Sequence, residues 1–302
     1  MTAFSNTAPL VPTLHLKARA FFLMCKPRVN ALIVFTAVIG MLLTAPELPP
    51  LGLMLAATAG IALVSGAAAA VNCVIEQHLD ARMARTRWRP LPQGEAGATE
   101  TLILAALLGG LGLAILHQWV NDLTLWLTLA TFLGYAVIYT VLLKPATPMN
   151  IVIGGASGAM PPVLGWAAVT GEVSAGALAL FLIIFIWTPP HFWSLALYRR
   201  EDYARAGLPM LPLTHGEEVT RLHILLYALM LLPVSLLPYT MGLSGLPYLC
   251  AALGLGVWFL HATWRLFRAY SDARARQTFR VSILYLTLLF AVLLLDHFLV
   301  PA

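Results

Sequence analysis

The chain has 302 residues, 60% of them hydrophobic and only 10% charged, with a formal net charge of +5. Soluble domains carry about 25% charged residues, so this composition excludes an ordinary water-soluble globule. The positive balance does not point to nucleic acid, because membrane topology accounts for where the cations lie, and Cys25, Cys73 and Cys250 form neither a metal motif nor a disulfide framework.

Residues 1–20 read as a flexible cytoplasmic tail with no signal-peptide pattern. The rest, 21–302, reads as one membrane domain. Nine apolar runs follow, at about 29–45, 51–75, 98–116, 123–143, 149–169, 175–197, 221–240, 244–264 and 281–299. Each approaches the roughly 20 residues that cross a bilayer. A helix satisfies its own backbone in lipid, so the fold class is an all-α bundle of nine transmembrane helices around a central cavity. The connections after spans one, three, five and seven lack Lys and Arg. All 18 Lys and Arg lie in the tail, in the other connections, or at the span ends that face them. The positive-inside rule then puts the N-terminus in the cytoplasm and the C-terminus outside. Both long polar loops, about 77–97 and 198–220, cap the cavity on the cytoplasmic side, with short helices expected in them. Met160-Pro161-Pro162 predicts a break lining the cavity, and Pro189-Pro190 a kink in span six.

Two polar centres stand out. In the first, NCVIEQHLDARMARTRWRP at 72–90, Asn72, Glu76 and Asp80 recur every four residues and share one helical face. Arg82, Arg85, Arg87 and Arg89 follow at once. Oxygen ligands suit Mg²⁺, and guanidinium groups suit phosphate. The second runs from Thr188 to Pro212. His191, Leu195, Tyr198 and Asp202 share a face there, with the carboxylate at the water boundary and the imidazole deep in the span. Two carboxylate-bearing helix ends on one side of a membrane predict a metal–diphosphate site between them. The fitting chemistry is departure of diphosphate from an allylic prenyl carbon, with Trp187, Phe192, Trp193, Tyr135 or Tyr139 facing the cation. Plainer roles compete. The carboxylates could cap a helix at the headgroups, the arginines could only anchor topology, and His191 could be a satisfied core residue. His78 lies off the Asn72–Asp80 face.

The run N-x-x-x-E-x-x-x-D-x-x-M-x-R-T-x-x-R-P at 72–90 resembles the first motif of the UbiA superfamily of intramembrane prenyltransferases. Lys26-Pro27-Arg28-Val29, His191-Phe192-Trp193 and Asp202-Tyr203-x-x-Ala206-Gly207-x-Pro209-Met210-Leu211-Pro212 agree with its heme-farnesylating branch. The resemblance covers about residue 22 to the end. It implies transfer of a farnesyl group from farnesyl diphosphate to the 2-vinyl group of heme B, with Mg²⁺ as cofactor, in the bacterial inner membrane. The product would pass to heme A synthase or a terminal oxidase. It further implies that Asn72, Glu76, Asp80 and Asp202 hold the metal and act catalytically. Arg28, Arg85, Arg89, Lys144, His191, Tyr198 and Tyr203 would contact substrates, His191 the heme. Two departures are visible. Glu76 stands where many members have Asp, and Tyr198 precedes Asp202 where a second Asp is usual. A prenyltransferase for a quinone precursor would share this apparatus. A transporter with discontinuous helices would need charged groups reachable from both faces, whereas here they crowd on one.

Overall fold

A computed structural model describes residues 14–45 and 47–299, and every regular element among them is helical. Residues 1–13 of the expected tail lie outside the described residues. Residues 14–20 are helical, and Ala20 is buried, so the ordered domain begins earlier than the composition suggests.

The first segment is made of α1 (Leu14–Met24) and α2 (Pro27–Leu42), which meet at a bend of 50°. Pro27 suits the first turn of α2 because its missing N–H would be unsatisfied there anyway. Lys26, just before it, sits at φ 48° and ψ 61°, the one non-glycine residue with positive φ among the described residues. The alanine-rich α3 (Leu51–Ile75) leads into α4 (Gln77–Arg82) and α5 (Pro90–Gln93), and α6 (Ala98–Trp119) crosses back. Next, α7 (Asp122–Leu133) passes into a π-helix, Gly134–Leu143, and a last turn, α8 (Lys144–Ala146). One span is divided at Met160 into α9 (Asn150–Ala159) and α10 (Pro161–Thr170), as the proline pair predicts. The long α11 (Ala175–Tyr198) stays one helical element through Pro189-Pro190. It is followed by the short α12 (Arg200–Ala206) and α13 (Leu211–Thr214), which occupy the second polar loop. The chain closes with α14 (Gly216–Val234), α15 (Leu237–Thr240), α16 (Leu246–Arg268) and α17 (Asp272–Leu299).

Among the described residues, eight stretches are long and apolar enough to cross a membrane alone, and the bent α1–α2 pair makes a ninth if it counts as one span. At 16 residues, α2 by itself falls short of the roughly 20 needed. The last span begins well before the expected 281, because the Asp272–Arg280 stretch stays helical as it leaves the apolar layer. Large apolar side chains such as Leu107, Leu111 and Ile138 are exposed on the outer surface. Such a surface would be a liability in water and is what a lipid-facing wall requires.

The central helix is α11, which packs on α9, α10, α14 and α17, while α17 also reaches α2. One large core joins Ile39, Trp166, Ile183, Leu231, Phe259 and Tyr285 from six helices. Without a hydrophobic drive between helices in lipid, close approach at small residues matters most. At Gly165 an added Cβ would lie 1.9 Å from the Ala37 carbonyl oxygen of α2. Gly165→Ala is therefore expected to destabilise the bundle by about 1–3 kcal/mol or more. Reversible unfolding in mixed micelles checks this. An unchanged midpoint would mean that α2 and α10 do not approach so closely.

Candidate active site

The first polar ladder survives a change of helix. Glu76 caps α3 at φ −91° and ψ 3°, and α4 begins at the next residue. The backbone bonds run on nonetheless: the Glu76 N–H donates to Asn72 O at 3.0 Å and the Asp80 N–H to Glu76 O at 2.8 Å. The three side chains thus stay on one face, and all are buried, at 2%, 4% and 1% exposure for Asn72, Glu76 and Asp80. His78 points outward, as the face reading expects.

Buried charges are costly unless paired, and each of these groups has a cationic partner. Lys26 Nζ donates to Asn72 Oδ1. Lys144 Nζ donates to Glu76 Oε1 at 2.5 Å, and Arg89 Nη1 to Asp80 Oδ2 at 2.6 Å. Asn72 Nδ2 donates to Thr140 Oγ1 at 3.1 Å. Burial pushes the Glu76 carboxyl up, but the charge and hydrogen bond of Lys144, with help from Lys26, hold it below its ordinary value. A carboxyl depressed by folding contributes stability above its unfolded range, and that contribution is lost as pH falls through the depressed value.

The π-helix explains how Thr140 and Lys144 reach this ladder. Its wider i→i+5 winding aligns Tyr135, Thr140 and, at the exit, Lys144 toward α3, a geometry frequent at functional sites. Tyr135 and Tyr139 stack with ring centroids 5.8 Å apart, and Lys26 Nζ lies 3.4 Å from Tyr135 Oη. At Gly154 an added Cβ would fall 2.1 Å from the Tyr139 ring, so only glycine leaves that ring its place.

The second polar centre comes from α12. Asp202 is buried; its Oδ1 accepts from Arg205 Nη2 at 3.0 Å, and Arg199 Nη1 lies 3.8 Å from Oδ2. Tyr203 is buried with a hydroxyl that finds no hydrogen-bond partner, and burial pushes that hydroxyl up. The segments bearing the two carboxylate centres pack together: α12 lies on α4, and Leu79 and Met83 share an apolar cluster with Tyr203, Ala206 and Met210.

Two cavities meet at Lys26. A vestibule of about 740 Å³ is lined by Arg19, Lys26, Arg28, Arg85 and Arg89 against a single carboxylate, Glu95. Arg28 and Arg85 make no ion pair among the described residues. Beneath lies an apolar chamber of about 260 Å³, walled by residues such as Ile61, Val64, Phe132, Pro161 and Leu164, with Tyr135 and Lys26 also on its wall. An anion with a long apolar tail fits this pair of spaces.

His191 lies apart from the ladder. It stacks between Trp187 and Phe279, at centroid distances of 4.2 and 4.6 Å, and its Nδ1 is 2.7 Å from Ser282 Oγ. It lines a slot bounded by the half-exposed Leu32 and Phe35 of α2 and by α17. Tyr198 is half-buried, between the guanidinium groups of Arg199 and Arg276. The sequence reading did not assign Lys26 or Thr140 a role. Lys26 stands out in the sequence only as part of the Lys26-Pro27-Arg28-Val29 run, and Thr140 carries no signal inside an apolar run.

Among the described residues no three or more His, Cys, Asp or Glu side chains are grouped to hold an ion alone. The donor set nevertheless fits Mg²⁺. Asp80 Oδ1 is buried and unpartnered, one helical turn after Glu76, and Mg²⁺ favours one or two carboxylates completed by substrate phosphates.

The sequence pattern described as "UbiA prenyltransferase family" matches residues 33–293. The chain is 67% identical over 298 residues to the protoheme IX farnesyltransferase of Aromatoleum aromaticum (strain DSM 19018 / LMG 30748 / EbN1), covering 97% of this chain and 98% of that protein. It is 68% identical over 284 residues to the protoheme IX farnesyltransferase of Azoarcus sp. (strain BH72), covering 94% and 95%. Among solved structures, a digeranylgeranylglyceryl phosphate synthase superposes with a TM-score of 0.80 at 17% identity, covering 94% of this chain and 99% of that one. A UbiA homologue from Archaeoglobus fulgidus, bound to DMAPP and Mg²⁺, superposes with a TM-score of 0.62 at 15% identity, covering 90% and 98%. These two superpositions show the shared fold.

Proposed function

This chain belongs to the UbiA prenyltransferase family, and we propose that it transfers the farnesyl group of farnesyl diphosphate to a vinyl group of protoheme IX. Water adds, diphosphate leaves, and the product is heme O. The observation that carries this reading is the junction at Lys26 of a cationic vestibule with an apolar chamber, beside a buried carboxylate ladder.

Asn72, Glu76 and Asp80, with Asp202 from the second segment, would hold Mg²⁺; the A. fulgidus homologue was solved with that ion and an isoprenyl diphosphate. When bound, the ion supplies positive charge to the departing diphosphate oxygens. Arg28, Arg85 and Arg89 grip the remaining oxygens as forked donors. Lys144 fixes the Glu76 carboxylate, and Lys26 fixes the Asn72 amide by donating to its oxygen. The isoprenoid chain lies in the apolar chamber, which keeps water from it. The Tyr135 ring, on the chamber wall and stacked on Tyr139, offers a π face to the allylic cation. Tyr203 of α12 and Tyr198 of α11 would contact the substrates. His191, with Trp187 and Phe279, gives the acceptor ring an aromatic seat. The protein works in the bacterial inner membrane as one domain, with its N-terminus cytoplasmic and its C-terminus outside. It hands its product to heme A synthase or a terminal oxidase.

Purified protein in nanodiscs, given farnesyl diphosphate, protoheme and Mg²⁺, should form heme O by mass spectrometry, and chelation should stop it. Absence of farnesylated heme alongside formation of prenylated hydroxybenzoate would overturn the assignment of acceptor. His191→Ala is expected to raise KM for heme by about tenfold, the scale of one lost stacking and hydrogen-bonding side chain. Its KM for farnesyl diphosphate should hold, and an equal rise in both would remove His191 from the heme seat.

A further inference from the structure

One face of α17 changes character along its length. Arg276 and Arg280 stand at its polar end, and Ile283, Thr287 and Phe290 continue the same stripe at alternating spacings of three and four residues. The first two line a surface groove, and the last three line the slot beside His191. Between them lies an aromatic cluster. The Arg276 guanidinium lies 5.5 Å from the Tyr198 ring, Tyr198 meets Phe279 edge-on at 6.2 Å and 71°, and Phe279 stacks on His191 at 4.6 Å. Arg276 faces one carboxylate, Asp272 at 3.9 Å, with both side chains more than half exposed. Such a pair holds its partners weakly. Arg280 makes no ion pair among the described residues.

Two available guanidinium groups above an aromatic cluster suit a large apolar molecule with two carboxylates on one edge. We propose that Arg276 and Arg280 bind the two propionates of the acceptor protoheme, whose ring lies against the aromatic edges of Tyr198, Phe279 and His191. This assignment rests on heme being the acceptor. Protoheme carries its vinyl groups away from the propionate edge. Anchoring the propionates at the polar end therefore turns the vinyl edge inward, toward Trp187 and Leu286, which line both the slot and the apolar chamber. The arginines would thus set which edge of a nearly symmetric ring meets the prenyl donor.

The test compares wild type with the R276Q/R280Q double variant, using protoheme and its dimethyl ester, in absorbance titrations and in turnover. The double variant should raise Kd and KM for protoheme by about tenfold or more, as expected when charge-assisted contacts to two carboxylates are lost. It should bind the dimethyl ester as wild type does and leave KM for farnesyl diphosphate unchanged. The R276K/R280K variant, which keeps both charges, should recover part of the loss. Unchanged protoheme affinity in R276Q/R280Q would overturn the assignment, as would equal loss of the dimethyl ester, which would mean that the arginines support the fold. An effect seen only in phosphatidylglycerol vesicles and not in phosphatidylcholine would assign the arginines to lipid headgroups instead. A wild type that neither binds nor farnesylates protoheme would overturn the acceptor itself. A wild type that farnesylates it, with the double variant unaltered, would overturn only the propionate contact.

Discussion

Asp80→Asn is expected to lower farnesyl transfer by about 10²–10³-fold, the range seen when one preorganised electrostatic contact to a transition state is removed. The substitution keeps the shape and an acceptor for Arg89, which donates to one Asp80 oxygen at 2.6 Å. It removes the negative charge from the other oxygen, which is buried and has no partner of its own. The loss should therefore fall on turnover and on metal dependence with the chain still inserted, and the unfolding midpoint should also drop, because the largely buried Arg89 guanidinium loses its charged partner. Initial rates of heme O formation across a Mg²⁺ titration measure it. A variant within a few-fold of wild type at every Mg²⁺ concentration would show that the unpartnered oxygen takes no part.

Lys144→Met should have the largest effect on stability. The pair it breaks is almost wholly buried, and removing one partner of such a pair typically costs about 3–5 kcal/mol because the remaining charge is stranded. Methionine keeps the unbranched stem that packs at the end of the π-helix. The double variant Lys144→Met, Glu76→Gln should regain most of that stability, since a neutral amide is cheaper to bury, and it should remain inactive. Reversible unfolding in mixed micelles and product formation on the same samples separate the two effects. A single variant as stable as wild type, or a double variant no better than the single, would mean that the ion pair does not hold the π-helix against α3.

The span pattern was legible because lipid imposes it. Runs such as Leu51–Ile75 and Ala98–Trp119 must be apolar for about 20 residues, and their polar connections alternate in charge. The Asn72, Glu76 and Asp80 ladder was legible for a similar reason: a spacing of four residues fixes a face whether or not the helix is capped in between. Their cationic partners were not legible. Arg89 reaches Asp80 across an irregular turn, and Lys144 reaches Glu76 from a different span. No spacing rule relates such positions. The π-helix was invisible as well, because Gly134–Leu143 is a uniformly apolar run and a hydrophobic period cannot register its wider winding. The left-handed backbone at Lys26 left no glycine or asparagine to mark it. Asp202 was legible, and its two arginines, Arg199 and Arg205, stand three residues to either side of it at helical spacing. His191 was found as a buried imidazole, whereas its seat between Trp187 and Phe279 depends on α17 crossing α11, a contact nearly 90 residues away in sequence.

The most direct measurement is electron paramagnetic resonance of Mn²⁺, standing in for Mg²⁺, titrated into the protein with and without an unreactive thio analogue of farnesyl diphosphate. If carboxylates from α4 and α12 grip one metal–diphosphate unit, Mn²⁺ should be retained tightly only with the analogue present, and Asp80→Asn and Asp202→Asn should each weaken it. Retention that ignores the analogue, or that survives both substitutions unchanged, would contradict a shared metal–diphosphate site.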